Sequence, residues 1–272
     1  LGLLVPVGIY MYYVFIEALC LYYAYLYLVG GLPEFNALSG GTPFKDLFAA
    51  ATGSGADGSL FTGTHPILLF VLICFALNTG IIYRGLSKGI EIVTRVAIPV
   101  LFLCAILVLI RVLSLGTPDP VNFPDRNVLE GLGYMWNPEP RNKTFMESLL
   151  NAEMWMEAAG QVFFSLSVGF GVIITYSSYV RRNEDVVLSG TTSASGNIFA
   201  EVALGGLITI PAAFIFLGPA GISDSTFALG FETLPQVFQA MPVGNFFGFL
   251  WFFLLFLAAI TSSLSMLQPA IA

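Results

Sequence analysis

Long apolar stretches constrain this chain more than any other feature. Only 10% of its 272 residues are charged, against roughly 25% in soluble domains. Stretches of about 20 apolar residues are long enough to cross a bilayer as helices, which satisfy their own backbone polar groups. We predict an all-α membrane protein with candidate spans at 2–29, 66–83, 89–113, 157–180, 187–217 and 244–271.

Basic residues in short loops predict the orientation of the spans. Arg84 and Lys88 lie in "YRGLSKG", and Arg181 and Arg182 lie in "YVRRNEDV". Since positive charge in short loops favours the cytoplasmic side, we place both loops in the cytoplasm of a multi-pass protein of the cell's inner (plasma) membrane. The three longer loops are then extracellular: 30–65, 114–156 and 218–243. The middle of the third could form a short amphipathic helix that ends near Pro242.

Residues 165–171, "SLSVGFG", are poor helix-forming material inside an apolar run. Glycine in a helix interior costs about 1 kcal/mol relative to alanine, and serine hydroxyls can replace lost backbone hydrogen bonds. One interpretation is a broken helix that opens backbone groups to a solute or ion, as in many secondary transporters. The other is a simple kink or a close helix contact through small residues. The heptapeptide alone favours neither.

Two acidic residues lie inside predicted spans, where ionisable groups are costly and often functional. Glu17 is interpreted first as a structural carboxylate that accepts hydrogen bonds. Glu201 follows Asn197 by four residues, so both lie on one helix face. Asn197 and Glu201 could join helices by hydrogen bonds, but the pattern favours an ion site.

The last span contains three consecutive hydroxyl residues, Thr261, Ser262 and Ser263. Hydroxyl and carbonyl oxygens are the ligands that hard cations prefer, although such hydroxyls also bond back to the preceding turn. No cysteine and histidine spacing suggests a transition-metal site, no catalytic constellation suggests an enzyme, and no basic patch suggests nucleic acid. The sequence therefore favours transport of a solute together with an alkali cation.

Several long motifs carry a family resemblance, in order along the whole chain: "IYMYYVFIEAL", "RGLSKGIE", "GQVFFSLSVGFGVIITYSSYV", "VLSG", "NIFAEVALGG", "IPAA", "LGFETLP" and "GFLWFFLLFLAAITSSLSMLQP". The chain resembles the neurotransmitter:sodium symporters, and within them the bacterial amino-acid branch. The resemblance implies an inverted-repeat, leucine-transporter-like symporter fold. It also implies that the chain holds six of twelve spans, the third to the eighth, with the sixth family span broken near 165–171. We expect the chain to be the middle of a longer polypeptide.

The resemblance also implies site residues. Substrate contacts are expected from Ile9, Tyr13, Phe164, Ser165, Ser167, Phe170, Ser262 and Met266. Two sodium ions are expected, with no organic cofactor: one at Ser165 and Asn197, the other at Ala258 (by its carbonyl), Thr261 and Ser262. Gates are expected from Tyr13 with Phe164 on the outside, and from Ser178 and Tyr179 on the inside.

Glu201, with Gln161 beside it, corresponds to the position where chloride-requiring animal members have a small hydroxyl residue. The resemblance therefore implies that a permanent carboxylate replaces chloride. A buried carboxylate that loses a neighbouring cation tends to take up a proton. We therefore hypothesise that Glu201 couples proton counter-movement to the release of sodium.

The expected function is sodium-coupled import of a neutral, hydrophobic or aromatic amino acid by alternating access, independent of chloride. The expected partners are that amino acid, sodium and the lipid bilayer. The sequence leaves undecided whether the protein forms a homodimer. Two alternatives remain. One is a proton-coupled amino-acid permease of the same fold, and the other is an amino-acid-binding membrane protein that does not transport.

Overall fold

The computed structural model describes residues 4–34, 42–53, 66–136, 144–219, 222 and 225–271. Every regular element in these residues is helical. The α-helices are α1 (Leu4–Val29), α2 (Thr42–Thr52), α3 (Pro66–Tyr83), α4 (Glu91–Leu113), α5 (Val128–Trp136), α6 (Phe145–Leu149), α7 (Ala152–Ser165), α8 (Val172–Ser177), α9 (Val186–Ile198), α10 (Leu207–Leu217), α11 (Thr226–Ala228), α12 (Leu234–Ala240) and α13 (Gly244–Ile271). Three π-helical segments, Leu86–Ile90, Phe199–Gly206 and Leu229–Thr233, continue directly into α4, α10 and α12.

In the part of the chain that the structure describes, five helices are long and apolar enough to cross a membrane. They are Leu4–Val29, Pro66–Tyr83, Lys88–Leu113, Val186–Leu217 and Gly244–Ile271. The remaining predicted interval, 157–180, is divided, because α7 ends at Ser165 and α8 begins at Val172. The break predicted near 165–171 is therefore present, and the fold is all-α as expected.

The core lies between α1 and α13, which pack along each other and are flanked by α3 and α4. Tyr23 and Tyr27 of α1 both stack on Phe252 of α13, with ring centroids 5.0 and 5.7 Å apart. Their hydroxyls donate to the carbonyls of Phe231 (2.9 Å) and Pro235 (3.1 Å). These two bonds attach the continuous helical connection Thr226–Ala240 to one end of α1.

The α1–α13 contact requires a glycine at position 248. A Cβ atom there would lie 2.2 Å from Cε1 of Tyr27, whose ring is held by Phe252 and whose hydroxyl is held by Pro235. We predict that Gly248→Ala lowers the free energy of unfolding by about 1–3 kcal/mol, the usual cost of overpacking. Thermal unfolding of the full-length protein in lipid nanodiscs measures this.

The matched control is Gly80→Ala on α3, where a new Cβ meets nothing within 4 Å. Because alanine is the better helix former, this variant should unfold at the wild-type temperature or above it. Equal stability of Gly248→Ala and wild type would show that α1 and α13 do not pack this closely.

Candidate ion and substrate site

The broken helix has left-handed backbone at three positions within its gap. Ser167, Gly169 and Gly171 have φ angles of 55°, 86° and 81°. The last hydrogen bond of the first half runs from the Val168 amide to the Phe163 carbonyl (2.9 Å). Glycine adopts positive φ readily, whereas an L-residue such as Ser167 does so at a cost. The break is therefore a strained, specified feature of the backbone and not a gradual bend.

The gap exposes backbone donors. Among the residues that the structure describes, the amides of 169–171 donate no hydrogen bond, and regular bonding resumes when the Thr175 amide donates to the Gly171 carbonyl (3.0 Å). None of these three residues is buried, so their amides are accessible to water or to a bound solute.

Ser165, Asn197 and Glu201 meet at the end of α7. The Ser165 hydroxyl donates to Oε1 of Glu201, and Nδ2 of Asn197 donates to Oγ of Ser165 at 2.5 Å. Glu201 lies in the π-helical segment Phe199–Gly206, a type of segment that occurs frequently at functional sites. Hydrogen bonds thus connect Ser165 and Asn197, the predicted ligands of the first sodium ion, to Glu201, the residue predicted to replace chloride. Gln161 lies on α7 without a hydrogen bond to this group in the described residues.

The second predicted sodium group lies within α13. The Thr261 hydroxyl donates to the Ala258 carbonyl at 2.9 Å, so its proton bonds back to the preceding turn. The Thr261 oxygen keeps its lone pairs for a cation, whereas the Ala258 carbonyl, which also accepts its helical bond, would exchange the Thr261 hydrogen bond for the ion. Ser265 donates to the Thr261 carbonyl (3.0 Å) and accepts a hydrogen bond from the Tyr176 hydroxyl (3.3 Å), which links α8 to α13.

The predicted substrate contacts fall into two clusters. Ile9, Tyr13 and Met266 pack in the apolar core between α1 and α13, and Tyr13 lies beside Ser262. On the broken helix, Phe164 and Phe170 pack edge to face with centroids 5.8 Å apart. Tyr13 and Phe164, the predicted outer gate, make no ring contact in this arrangement of the described residues.

The predicted inner-gate residues lie just after α8. Ser178 donates to the Thr175 carbonyl at 2.7 Å, and Nε2 of Gln268 donates to the Tyr179 hydroxyl at 3.0 Å. Tyr179 is therefore tied to α13, as Tyr176 is one turn earlier. Both bonds hold α8 against the helix that contains the second predicted sodium group.

One buried polar cluster was only partly visible in the sequence. Glu17 accepts hydrogen bonds from Asn78 of α3 and Ser263 of α13, in line with the structural interpretation of its carboxylate. The sequence reasoning did not identify Asn78 as a partner of Glu17. The feature that could have indicated it is a single amide side chain in the apolar run "FALNTGIIY".

Comparison with known proteins places the chain among transporters. The sodium-dependent transporter YhdH of Bacillus subtilis is 34% identical over 250 residues, which are 88% of this chain and 51% of the relative. The sodium- and chloride-dependent neutral and basic amino acid transporter B(0+) of Mus musculus is 24% identical over 209 residues, 75% of this chain and 31% of the relative. The chain thus spans about half of the bacterial relative and a third of the mouse one. Both relatives are named as transporters and not as enzymes.

Among solved structures, the crystal structure of MhsT in complex with L-phenylalanine matches 100% of this chain and 54% of its own, with a TM-score of 0.77 and 26% identity. This likeness confirms the predicted symporter fold, of which the chain holds a part. With five apolar helices of membrane length, the protein is a multi-pass membrane protein. The model of the sodium:neurotransmitter symporter family matches residues 61–272, and the chain therefore belongs to the sodium:neurotransmitter symporter family.

Proposed function

We propose that the protein is a sodium-coupled secondary transporter that imports a neutral, hydrophobic or aromatic amino acid by alternating access and does not require chloride. The observation that carries the proposal is the hydrogen-bonded group of Ser165, Asn197 and Glu201 at the broken helix. It places a carboxylate, a hydroxyl and an amide beside backbone that is open to a ligand. Membership in a family of sodium-dependent transporters supports the ion.

The donor set suits sodium after one small rearrangement. The Ser165 hydroxyl donates a hydrogen bond to Glu201, which leaves a lone pair of Oγ for a cation. Asn197 now presents Nδ2 to Ser165. A half-turn of its amide about the terminal torsion would present Oδ1 instead, and oxygen is the atom that a hard cation requires. The charge of Glu201 would then partly neutralise the ion, as chloride is expected to do in relatives that need it.

The substrate class follows from the gap and from the predicted contacts between α1 and α13. The Tyr13 hydroxyl and the amides of 169–171 are donors suited to a carboxylate. Phe164, Phe170 and Met266 offer apolar surface to a side chain. MhsT, which has the same fold, has been crystallised in complex with L-phenylalanine.

Coupling between the solutes follows if sodium at Ser165 touches the substrate carboxylate. Each then raises the affinity for the other by the same factor, as linkage requires. A second ion at Ala258, Thr261 and Ser262 would act on α13, which α8 contacts through Tyr176. The two halves of the broken helix can turn separately, which is what alternating access demands.

The proposal includes the orientation in the inner membrane, with Arg84 and Lys88 in the cytoplasm together with Arg181 and Arg182. The first pair follows α3 and the second follows α8, so each lies at the end of a predicted span. Labelling of single cysteines in intact cells by an impermeant reagent tests this. Labels at 84 or 181 without permeabilisation would contradict it.

Uptake by the full-length protein in proteoliposomes tests the function. We expect an inward sodium gradient to drive accumulation of apolar and aromatic amino acids, with no loss when gluconate replaces chloride. Accumulation driven by a proton gradient without sodium would favour the permease. Binding without accumulation under any gradient would favour a protein that does not transport.

A further inference from the structure

A second polar cluster lies deep between α1, α3 and α13, apart from the group at the broken helix. Oε2 of Glu17 accepts two hydrogen bonds, from Oγ of Ser263 at 2.6 Å and from Nδ2 of Asn78 at 3.0 Å. All three side chains have 0% of their surface exposed. A residue from elsewhere in a longer protein would have to displace their present neighbours to reach them. The cluster must therefore be satisfied from within.

Two oxygen atoms of the cluster have no hydrogen-bond partner among the described residues. They are Oε1 of Glu17 and Oδ1 of Asn78. The Tyr10 hydroxyl lies beside Asn78 and also makes no hydrogen bond with the described residues. An ionised carboxylate and an amide oxygen are both acceptors only, so neither can satisfy the other. Leaving such buried atoms unpaired is costly.

Among the residues that the structure describes, no cationic side chain faces the carboxylate. The titratable or polar groups that face Glu17 are Tyr10, Tyr13 and Cys20 on α1, Cys74 and Asn78 on α3, and Ser263 on α13. None of them carries positive charge. The ion pair found in the described part of the chain, Arg95 with Glu91, is on the surface of α4. A buried unpaired charge is among the most unfavourable arrangements in a protein, especially in a membrane.

We propose that Glu17 is a proton-binding site and holds its proton in this arrangement as a neutral carboxyl group. A proton on Oε1 converts that atom from an acceptor into a donor, and Oδ1 of Asn78 is the unpartnered atom of the cluster that can only accept. Oε2 then serves as the carbonyl oxygen that accepts from Ser263 and Asn78. One proton therefore removes the unpaired charge and adds a donor to those already facing the cluster, the Tyr10 hydroxyl and the Cys74 thiol.

A sodium ion fits the same cluster less well. A hard cation takes about six oxygen ligands, whereas the free oxygens here are those of Glu17, Asn78 and Tyr10. A proton needs no additional space in a closely packed interior. Release of the proton would leave a buried negative charge on Glu17. Water could reach this charge only if α1, α3 and α13 separated. The site would thus link protonation to the packing of α1 against α13, independently of the proposed transport function.

Infrared difference spectroscopy on the full-length protein in nanodiscs tests the proposal. At neutral pH we expect the C=O stretching band of a protonated carboxyl group in wild type and its loss in Glu17→Gln. The control Glu130→Gln, at an exposed position on α5, should change only the carboxylate bands. Absence of a protonated-carboxyl difference between wild type and Glu17→Gln would overturn the proposal. A Glu17 signal that responds to sodium in the carboxylate region would assign the site to sodium instead.

A second variant keeps the test decisive if Glu17→Gln does not fold. Ser263→Ala removes the 2.6 Å donor to Oε2, so the protonated-carboxyl band of Glu17 should move to higher frequency. An unmoved band would show that the band belongs to another residue.

Unfolding provides an independent readout. The native state would keep a proton that the unfolded chain releases, so wild type should lose stability relative to Glu17→Gln as pH rises. Parallel stability profiles of the two proteins would contradict the proposal.

Discussion

Glu201→Gln should weaken sodium binding by about tenfold or more. The Glu201 carboxylate accepts a hydrogen bond from the Ser165 hydroxyl, whose oxygen in turn accepts one from Asn197. Hydrogen bonds to charged groups contribute about 1.5–3 kcal/mol, and every 1.4 kcal/mol or so is a factor of ten in affinity. We take the lower end because Glu201 is exposed in the described part of the chain. Binding of radioactive sodium to the full-length protein, with substrate present, measures the change.

Two further variants, one at position 201 and one control elsewhere on α7, separate the effect of charge from that of shape. Glu201→Ser leaves room for an anion, so added chloride should restore part of the sodium affinity if charge is what the site requires. Glu153→Gln, in the exposed first turn of α7, removes a carboxylate on the same helix as Ser165 and should leave sodium binding unchanged. Wild-type sodium affinity in Glu201→Gln would show that the carboxylate does not act on the ion.

Gly169→Ala should lower substrate affinity by about fivefold to thirtyfold. A Cβ at Gly169 meets nothing within 4 Å, so the substitution tests the backbone alone. The φ angle of 86° costs an L-residue roughly 1–2 kcal/mol, which corresponds to this range of affinity. The chain can avoid that cost only by changing the shape of the gap that presents the 169–171 amides. Equilibrium binding of a labelled apolar amino acid measures the change.

The matched control is Gly160→Ala, nine residues earlier in α7, where a Cβ also meets nothing within 4 Å. Here the backbone is helical and alanine is favoured by about 1 kcal/mol. Affinity should therefore stay at the wild-type value. If both variants bind equally well, the left-handed backbone at 169 does not shape the substrate site.

Local features of the fold could be predicted from the sequence because they depend on nearby residues. The interval 66–83 coincides with α3, since length and hydropathy define such a helix. A weak point near 165–171 could be predicted because glycine and serine weaken a helix where they stand, but only the family resemblance favoured a break over a kink. The proximity of Asn197 to Glu201 follows from helix periodicity alone.

Features that depend on packing could not be predicted in the same way. Nothing near Glu17 in the chain indicates that its partners are Asn78 and Ser263, which come from other helices. The back-bonded state of Thr261 competes with ion binding, and sequence cannot decide between the two. The π-helical segment around Glu201 adds a local change of helical phase that apolar periodicity does not reveal.

The buried bonds of Glu17 also impose an order on biosynthesis. Asn78 follows Glu17 by 61 residues, but Ser263 follows it by 246. As the chain emerges from the ribosome, α1 is synthesised before either hydrogen-bond partner of Glu17, and a charged side chain at the centre of a membrane helix costs about 2.5–3.5 kcal/mol on insertion scales. Asn78 can relieve that cost early, once α3 is inserted, whereas Ser263 is synthesised only with α13. A helical hairpin of α1 and α3 is therefore the natural assembly intermediate, and a nascent chain stalled before α13 should already contain it.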